Sequence, residues 1–131
     1  MSDSPFGTWN GVEAHPMFPG VSLHAIGGEQ VLLCRVEYEP GTTVARHSHE
    51  ATEQLMYVVS GDVTLTIGDE TRELRAGDVC AINRGIEHEL HSVEGCQFIE
   101  ALSPVPRDHV PNADRDLVLH GDFGDALHVD K

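Results

Sequence analysis

Glycine and proline break this chain into short pieces, and that punctuation limits the fold more than any other feature. With 13 Gly and 7 Pro in 131 residues, no internal stretch keeps a helical period over three turns. Between the breaks lie short apolar or alternating runs at 21–26, 31–38, 55–60, 63–67, 71–74, 79–82, 87–92 and 98–102. Runs of this length, rich in β-branched residues and bounded by turn residues, read as strands. Gly27-Gly28 and Gly68-Asp69-Glu70 suit hairpins, because glycine supplies the positive φ that tight turns need. Gly61-Asp62, Ala76-Gly77-Asp78 and Arg84-Gly85 mark further reversals. Many short strands at close spacing predict an all-β sandwich or barrel with little helix. The strand pattern occupies residues 21–103. Residues 1–20 read as an N-terminal arm. Residues 104–131, with Pro104, Pro106, Pro111 and six aspartates, read as an acidic extension packed on or flanking the barrel. Within it, Leu117, Val118, Leu119 and Phe123 suit one more strand or a short helix.

A chain of this length supports one hydrophobic core without disulfide staples. Eight Lys and Arg face 22 Asp and Glu, a formal net charge of −14. That charge argues against a nucleic-acid partner and leaves no polybasic anchor for an anionic membrane. No segment approaches the roughly 20 apolar residues of a membrane span, and the first residues carry no secretory pattern. Cys34, Cys80 and Cys96 are odd in number and form no CxxC pair, so they read as free thiols in a reducing compartment. The expectation is a cytoplasmic protein.

Nine histidines remain to be explained. His47 and His49 are separated by one residue, so on a strand they share a face with Cα atoms about 7 Å apart. From that spacing two imidazoles can converge on one metal ion at about 2.0–2.1 Å. A bare His-x-His is also the pattern of two exposed histidines on an edge strand, so its surroundings decide. They read Gly41-TTVAR-His47-Ser48-His49-EATE-Gln54-LMYVVS-Gly61, followed by Gly77-DVCAI-Asn83-Arg84-Gly85-IE-His88-ELH-Ser92.

In order and spacing these two stretches resemble the paired motifs of the single-domain cupins. The resemblance implies a double-stranded β-helix, or jelly-roll barrel, with a metal held by His47, His49, Gln54 and His88. Asn83 stands where the family carries proline and Ser92 where it carries asparagine, both at turn or strand positions. Gln54 stands at the family's glutamate, and Glu53 beside it is the competing ligand. Counting back six residues from Gly61 favours Gln54, whereas the loop after His49 admits either. Strand alternation carries Met56, Val58 and Ser60 inward with Gln54, or Leu55, Tyr57 and Val59 inward with Glu53. A neutral amide ligand leaves a divalent ion its full charge and strengthens it as a Lewis acid. One divalent transition ion (Zn, Ni, Mn, Fe or Cu) suits the donor set. His91 falls on the strand face opposite His88. His15, His24, His109, His120 and His128 lie outside the motifs and read as surface or ordinary core histidines.

On the last run, Phe98, Glu100 and Leu102 share one face while Ile99 and Ala101 share the other. If the first face is the interior, Glu100 is an acid in an apolar cavity, suited to proton transfer; if the second is, Glu100 meets solvent. The exit Ser103-Pro104-Val105-Pro106-Arg107-Asp108 resembles that of the pectin-degradation cupins, which help open uronate sugars to their linear keto form. That likeness implies catalytic roles for Glu100 and for Arg107, which would clamp a substrate carboxylate. The arginine is displaced by one position and Leu102 replaces the family's aromatic, so surface pairing of Arg107 with Asp108 or Asp114 is the alternative. The implied activity is an isomerase or lyase acting on a small carbonyl- or carboxylate-bearing, sugar-like molecule. A dioxygenase and a non-catalytic ligand-binding barrel are the alternatives. The resemblance further implies a homodimer joined through an outer sheet face, with Leu32, Tyr57 or Val59 available for it.

Overall fold

A computed structural model describes residues 5–11, 14–105 and 117–119. Ten strands carry the fold: β1 (His15–Phe18), β2 (Val21–Gly27), β3 (Leu32–Tyr38), β4 (Thr42–His49), β5 (Glu53–Ile67), β6 (Glu70–Arg75), β7 (Val79–Ile82), β8 (His88–Ser92), β9 (Cys96–Ser103) and β10 (Leu117–Leu119). Among the described residues the one helical element is a 3-10 turn at Trp9–Gly11, whose indole lies 5.9 Å from the Arg35 guanidinium. The strands pair antiparallel in the order β1-β2-β3-β9-β5-β8-β4-β10, with β6 and β7 along the remaining edge of β5.

β5 joins the two walls. Its first half pairs with β9 and β7, and its second half with β8 and β6. Gly61-Asp62 is therefore a bend inside a 15-residue strand and not a reversal. Gly61 has φ 79° and packs against the Gly95 backbone, where a side chain has no room. The pairing register with β9 shifts between Val58 and Ser60, which is why Val58 is buried while Ser60, expected inside with Gln54, is exposed. Asp62 locks the bend: its carboxylate accepts hydrogen bonds from the Glu94 N–H at 2.8 Å and the Val93 N–H at 3.1 Å. These bonds hold its pKa below the ordinary aspartate value.

One other turn differs from the sequence reading. Ala76-Gly77-Asp78 does not reverse the chain, because Gly77 N–H donates to Val58 O and Val58 N–H donates to Asp78 O. β6 and β7 thus follow one edge of β5 in the same direction. β4 had no apolar run to announce it, since Arg46 and two histidines interrupt its pattern. Gly68-Asp69 does close a hairpin, with φ 60° at Gly68. β1 lies inside the expected arm, and β10 realises the strand alternative for 117–119 by pairing with β4. The core is filled from both walls by Leu23, Leu32, Val58, Val63, Ile82, Phe98 and Leu102. Leu32, proposed above for an outer surface, is fully buried; Tyr57 and Val59 do face outward.

Candidate metal centre

The register irregularity between Val44 and His47 on β4 turns His47 and His49 toward the interior. His88 opens β8 directly opposite His47. The turn before it is tied to the same place, because the Gly85 N–H donates to His49 O at 2.8 Å. All three imidazoles are buried. Ring centroids lie 4.2 Å apart for His47 and His88, and 5.3 Å apart for each of the other two pairs. One ring nitrogen from each falls within 4.8 Å of the others. His47 Nδ1 is 2.6 Å from Ala45 O, and His88 Nδ1 is 3.0 Å from Ile86 O. A carbonyl only accepts, so Nδ1 carries a proton in both rings, which leaves Nε2 as the nitrogen available to a metal. His88 Nε2 is buried with no hydrogen-bond partner among the described residues. Burial pushes the His88 pKa down, which favours the neutral form a metal ligand needs.

Alternation along β5 resolves the two neighbours. Gln54 is 4% exposed and faces the histidines' cavity, while Glu53 is exposed. Gln54 Nε2 donates to Glu100 Oε1 at 2.6 Å, and Gln54 Oε1 is buried without a partner among the described residues. β9 turns Phe98, Glu100 and Leu102 inward, so Glu100 lies in the cavity wall at 5% exposure. Imidazole nitrogens of three histidines and an amide oxygen form a donor set that fits a borderline divalent ion. The cavity between these groups holds about 30 Å³.

Phe18 and Tyr38 also line the cavity, and the sequence reading missed both. Phe18 lies 6.1 Å from His47 between ring centroids. Tyr38 stands edge-on to Phe98, and burial together with the Glu100 charge raises its hydroxyl pKa. Its only sequence signal was its place in alternation on β3, which every inward residue shares. Arg107 lies outside the described residues.

Residues 34–101 match the family profile described as a cupin domain. The chain belongs to the cupin family. This cupin is 35% identical over 69 residues to the HTH-type transcriptional regulator PuuR of Escherichia coli (strain K12), a match covering 51% of this chain and 37% of the regulator. It is 30% identical over 74 residues to an oxalate-binding protein of Thermotoga maritima, covering 56% and 59% of the two chains. The matches thus span less than two thirds of either relative. Among solved structures it is similar to KdgF from Halomonas sp., with TM-score 0.75, 22% identity, and 82% of this chain and 99% of that one covered. It is also similar to the polyketide cyclase RemF from Streptomyces resistomycificus, with TM-score 0.74, 18% identity, and 95% and 90% covered. Their shared shape is the jelly-roll barrel expected from the motifs, and the three-histidine cluster lies inside this cupin's barrel.

His91 faces outward, its Nδ1 2.6 Å from the Thr43 hydroxyl. Among the described residues none of the three cysteines is in a disulfide. Burial pushes the Cys80 and Cys96 thiols up to about 11, so neither is a nucleophile at neutral pH.

Proposed function

We propose that this cupin is a metal-dependent enzyme performing isomerase- or lyase-type chemistry on a small, sugar-like substrate bearing a carbonyl or carboxylate. The observation that carries the proposal is Glu100, a carboxylate buried in the same cavity as three histidines and bonded to Gln54. His47, His49, His88 and Gln54 would hold one divalent transition ion, which when bound would polarise a substrate oxygen. Glu100 would take a proton from the substrate carbon or hydroxyl and return it to a neighbouring atom, shielded from solvent by Phe98 and Leu102. Arg107 would clamp the substrate carboxylate from the chain segment after β9. The resemblance of the Ser103-Pro104-Val105-Pro106-Arg107-Asp108 exit to that of the pectin-degradation cupins supports a uronate-type substrate. A cavity of about 30 Å³ takes an ion with a water but no sugar. Substrate entry therefore needs the wall to part, and Phe18, on the terminal strand β1, is the side chain placed to move.

The test is turnover of a 4,5-unsaturated uronate by Glu100→Gln under saturating Zn2+, Ni2+ or Mn2+. A loss of about 100-fold or more with the metal retained is expected; full activity in the variant would refute the role. A second reading, a ligand-binding barrel without turnover, is favoured by the identity to the regulator PuuR. Recovery of a bound ligand chemically unchanged would select it. We further propose a cytoplasmic homodimer. Free thiols suit a reducing compartment, and exposed Leu33, Leu55, Tyr57 and Val79 offer an apolar outer face on β3, β5 and β7.

A further inference from the structure

We infer that Glu100, beside the proton transfer proposed above, has a positioning role: its Oε1 holds the Gln54 amide by its NH2 end and so reserves the amide oxygen for the cavity. The inference rests on the metal site proposed above. Gln54 and Glu100 are diagonal neighbours across the β5–β9 pair, since Glu100 stands opposite Met56 and both side chains point inward. The two ends of a glutamine amide are nearly equal in shape, and rotation by half a turn exchanges them. A carboxylate only accepts. In the flipped amide, two oxygens would face each other across the present 2.6 Å contact with no hydrogen between them. With the NH2 committed to Glu100, the buried Oε1 is the amide's remaining cavity-facing donor atom. Gln54 thereby becomes an oxygen ligand of fixed orientation. The negative charge that a glutamate ligand would bring to the ion sits instead one hydrogen bond further out, on Glu100. Outer partners of this kind set ligand orientation, and their loss costs about 10–100-fold in metal affinity.

A double-mutant cycle on Zn2+ and Co2+ affinity of the full metal-free chain tests this, using Glu100→Leu, Gln54→Leu and the combination, with Glu100→Gln as the conservative variant. Glu100→Leu is expected to weaken binding about 10–100-fold when Gln54 is intact. In the Gln54→Leu background the loss should be at least about fivefold smaller, because no amide remains there to be oriented. Glu100→Gln keeps an acceptor oxygen and should lose less than Glu100→Leu. Equal losses in both backgrounds would mean that charge alone acts, and would overturn the inference. Wild-type binding with no penalty from Glu100→Leu would overturn it while leaving the metal site standing. Failure of the wild type to bind either ion would remove both. Melting of each variant in chelator separates misfolding from altered affinity. In the unsubstituted metal-free protein, the Gln54 side-chain N–H signals should exchange slowly with solvent. Rapid exchange would overturn the inference without reference to any variant.

Discussion

His88→Leu is expected to stabilise the metal-free protein while abolishing its response to metal. His88 is 1% exposed, and its Nε2 has no hydrogen-bond partner among the described residues. An unsatisfied buried polar atom costs about 1–3 kcal/mol. Leucine removes that penalty at similar volume and gives up the Nδ1–H bond to Ile86 O, a net contribution of about 1 kcal/mol. The balance is a gain of up to about 2 kcal/mol, which for a domain of this size raises Tm by up to roughly 8 °C. The wild type, in turn, should gain about 2.7 kcal/mol from Zn2+ at 100 times its Kd, and the variant nothing. Urea unfolding followed by circular dichroism, in EDTA and then in Zn2+, should therefore show the order of the two proteins reverse. A variant less stable than wild type in EDTA would refute the reasoning. It would mean that ring packing and the Ile86 bond outweigh the orphaned nitrogen, so that His88 is a core residue and not one retained against stability.

Asp62→Asn should cost about 1.5–3 kcal/mol at pH 7 by weakening the clamp on Val93 and Glu94. Because the folded-state pKa of Asp62 is lowered, chiefly by the Glu94 N–H, this contribution is complete above the unfolded value near 3.9 and lost as pH falls through the folded value. The gap in urea midpoints should accordingly stay constant from pH 8 to about 5 and close only in stronger acid; a gap that closes near pH 6 would implicate another group. Tyr57→Lys, on the apolar outer face, should halve the mass seen by light scattering and leave metal affinity unchanged. Phe18→Ala should cost about 3–5 kcal/mol in stability and lower KM for the larger of two substrates. Strict exclusion of oxygen should leave turnover unaltered; dependence on oxygen would favour the dioxygenase alternative.

What could be read from the sequence was whatever a local pattern encodes. Period-two runs marked eight stretches that all lie in strands, and motif spacing put His47, His49 and His88 in one cluster. What could not be read depended on partners distant in sequence. Gly61 and Gly77 carry the residue type of a reversal, yet next to Gly61 the Asp62 N–H donates to Gly95 O, and the Gly77 N–H donates to Val58 O, which makes one a bend and the other a continuation. Ser60 was assigned inward by strict alternation, which the register shift after Val58 breaks. β4 escaped notice for the reason that makes it interesting: its inward positions carry imidazoles where a hydrophobic pattern needs aliphatic side chains.

That conflict between local rule and position is itself informative. His47, His49, Gln54, His88 and Glu100 sit at inward strand positions beside Leu90 and Phe98, where apolar residues would pack without unsatisfied atoms. Asp62, by contrast, is a buried acid whose carboxylate is answered by backbone donors at a bend; it needs no ligand to account for it. Within the cavity, the amide of Gln54 is half answered by Glu100, and His88 keeps an open nitrogen. Sequences that specify a single structure break local rules chiefly at functional sites. Five buried polar residues from β4, β5, β8 and β9 converge on one small cavity with acceptor atoms left over. A bound cation would satisfy such leftover acceptors, and the fold meets the stability cost of keeping them through its two apolar walls.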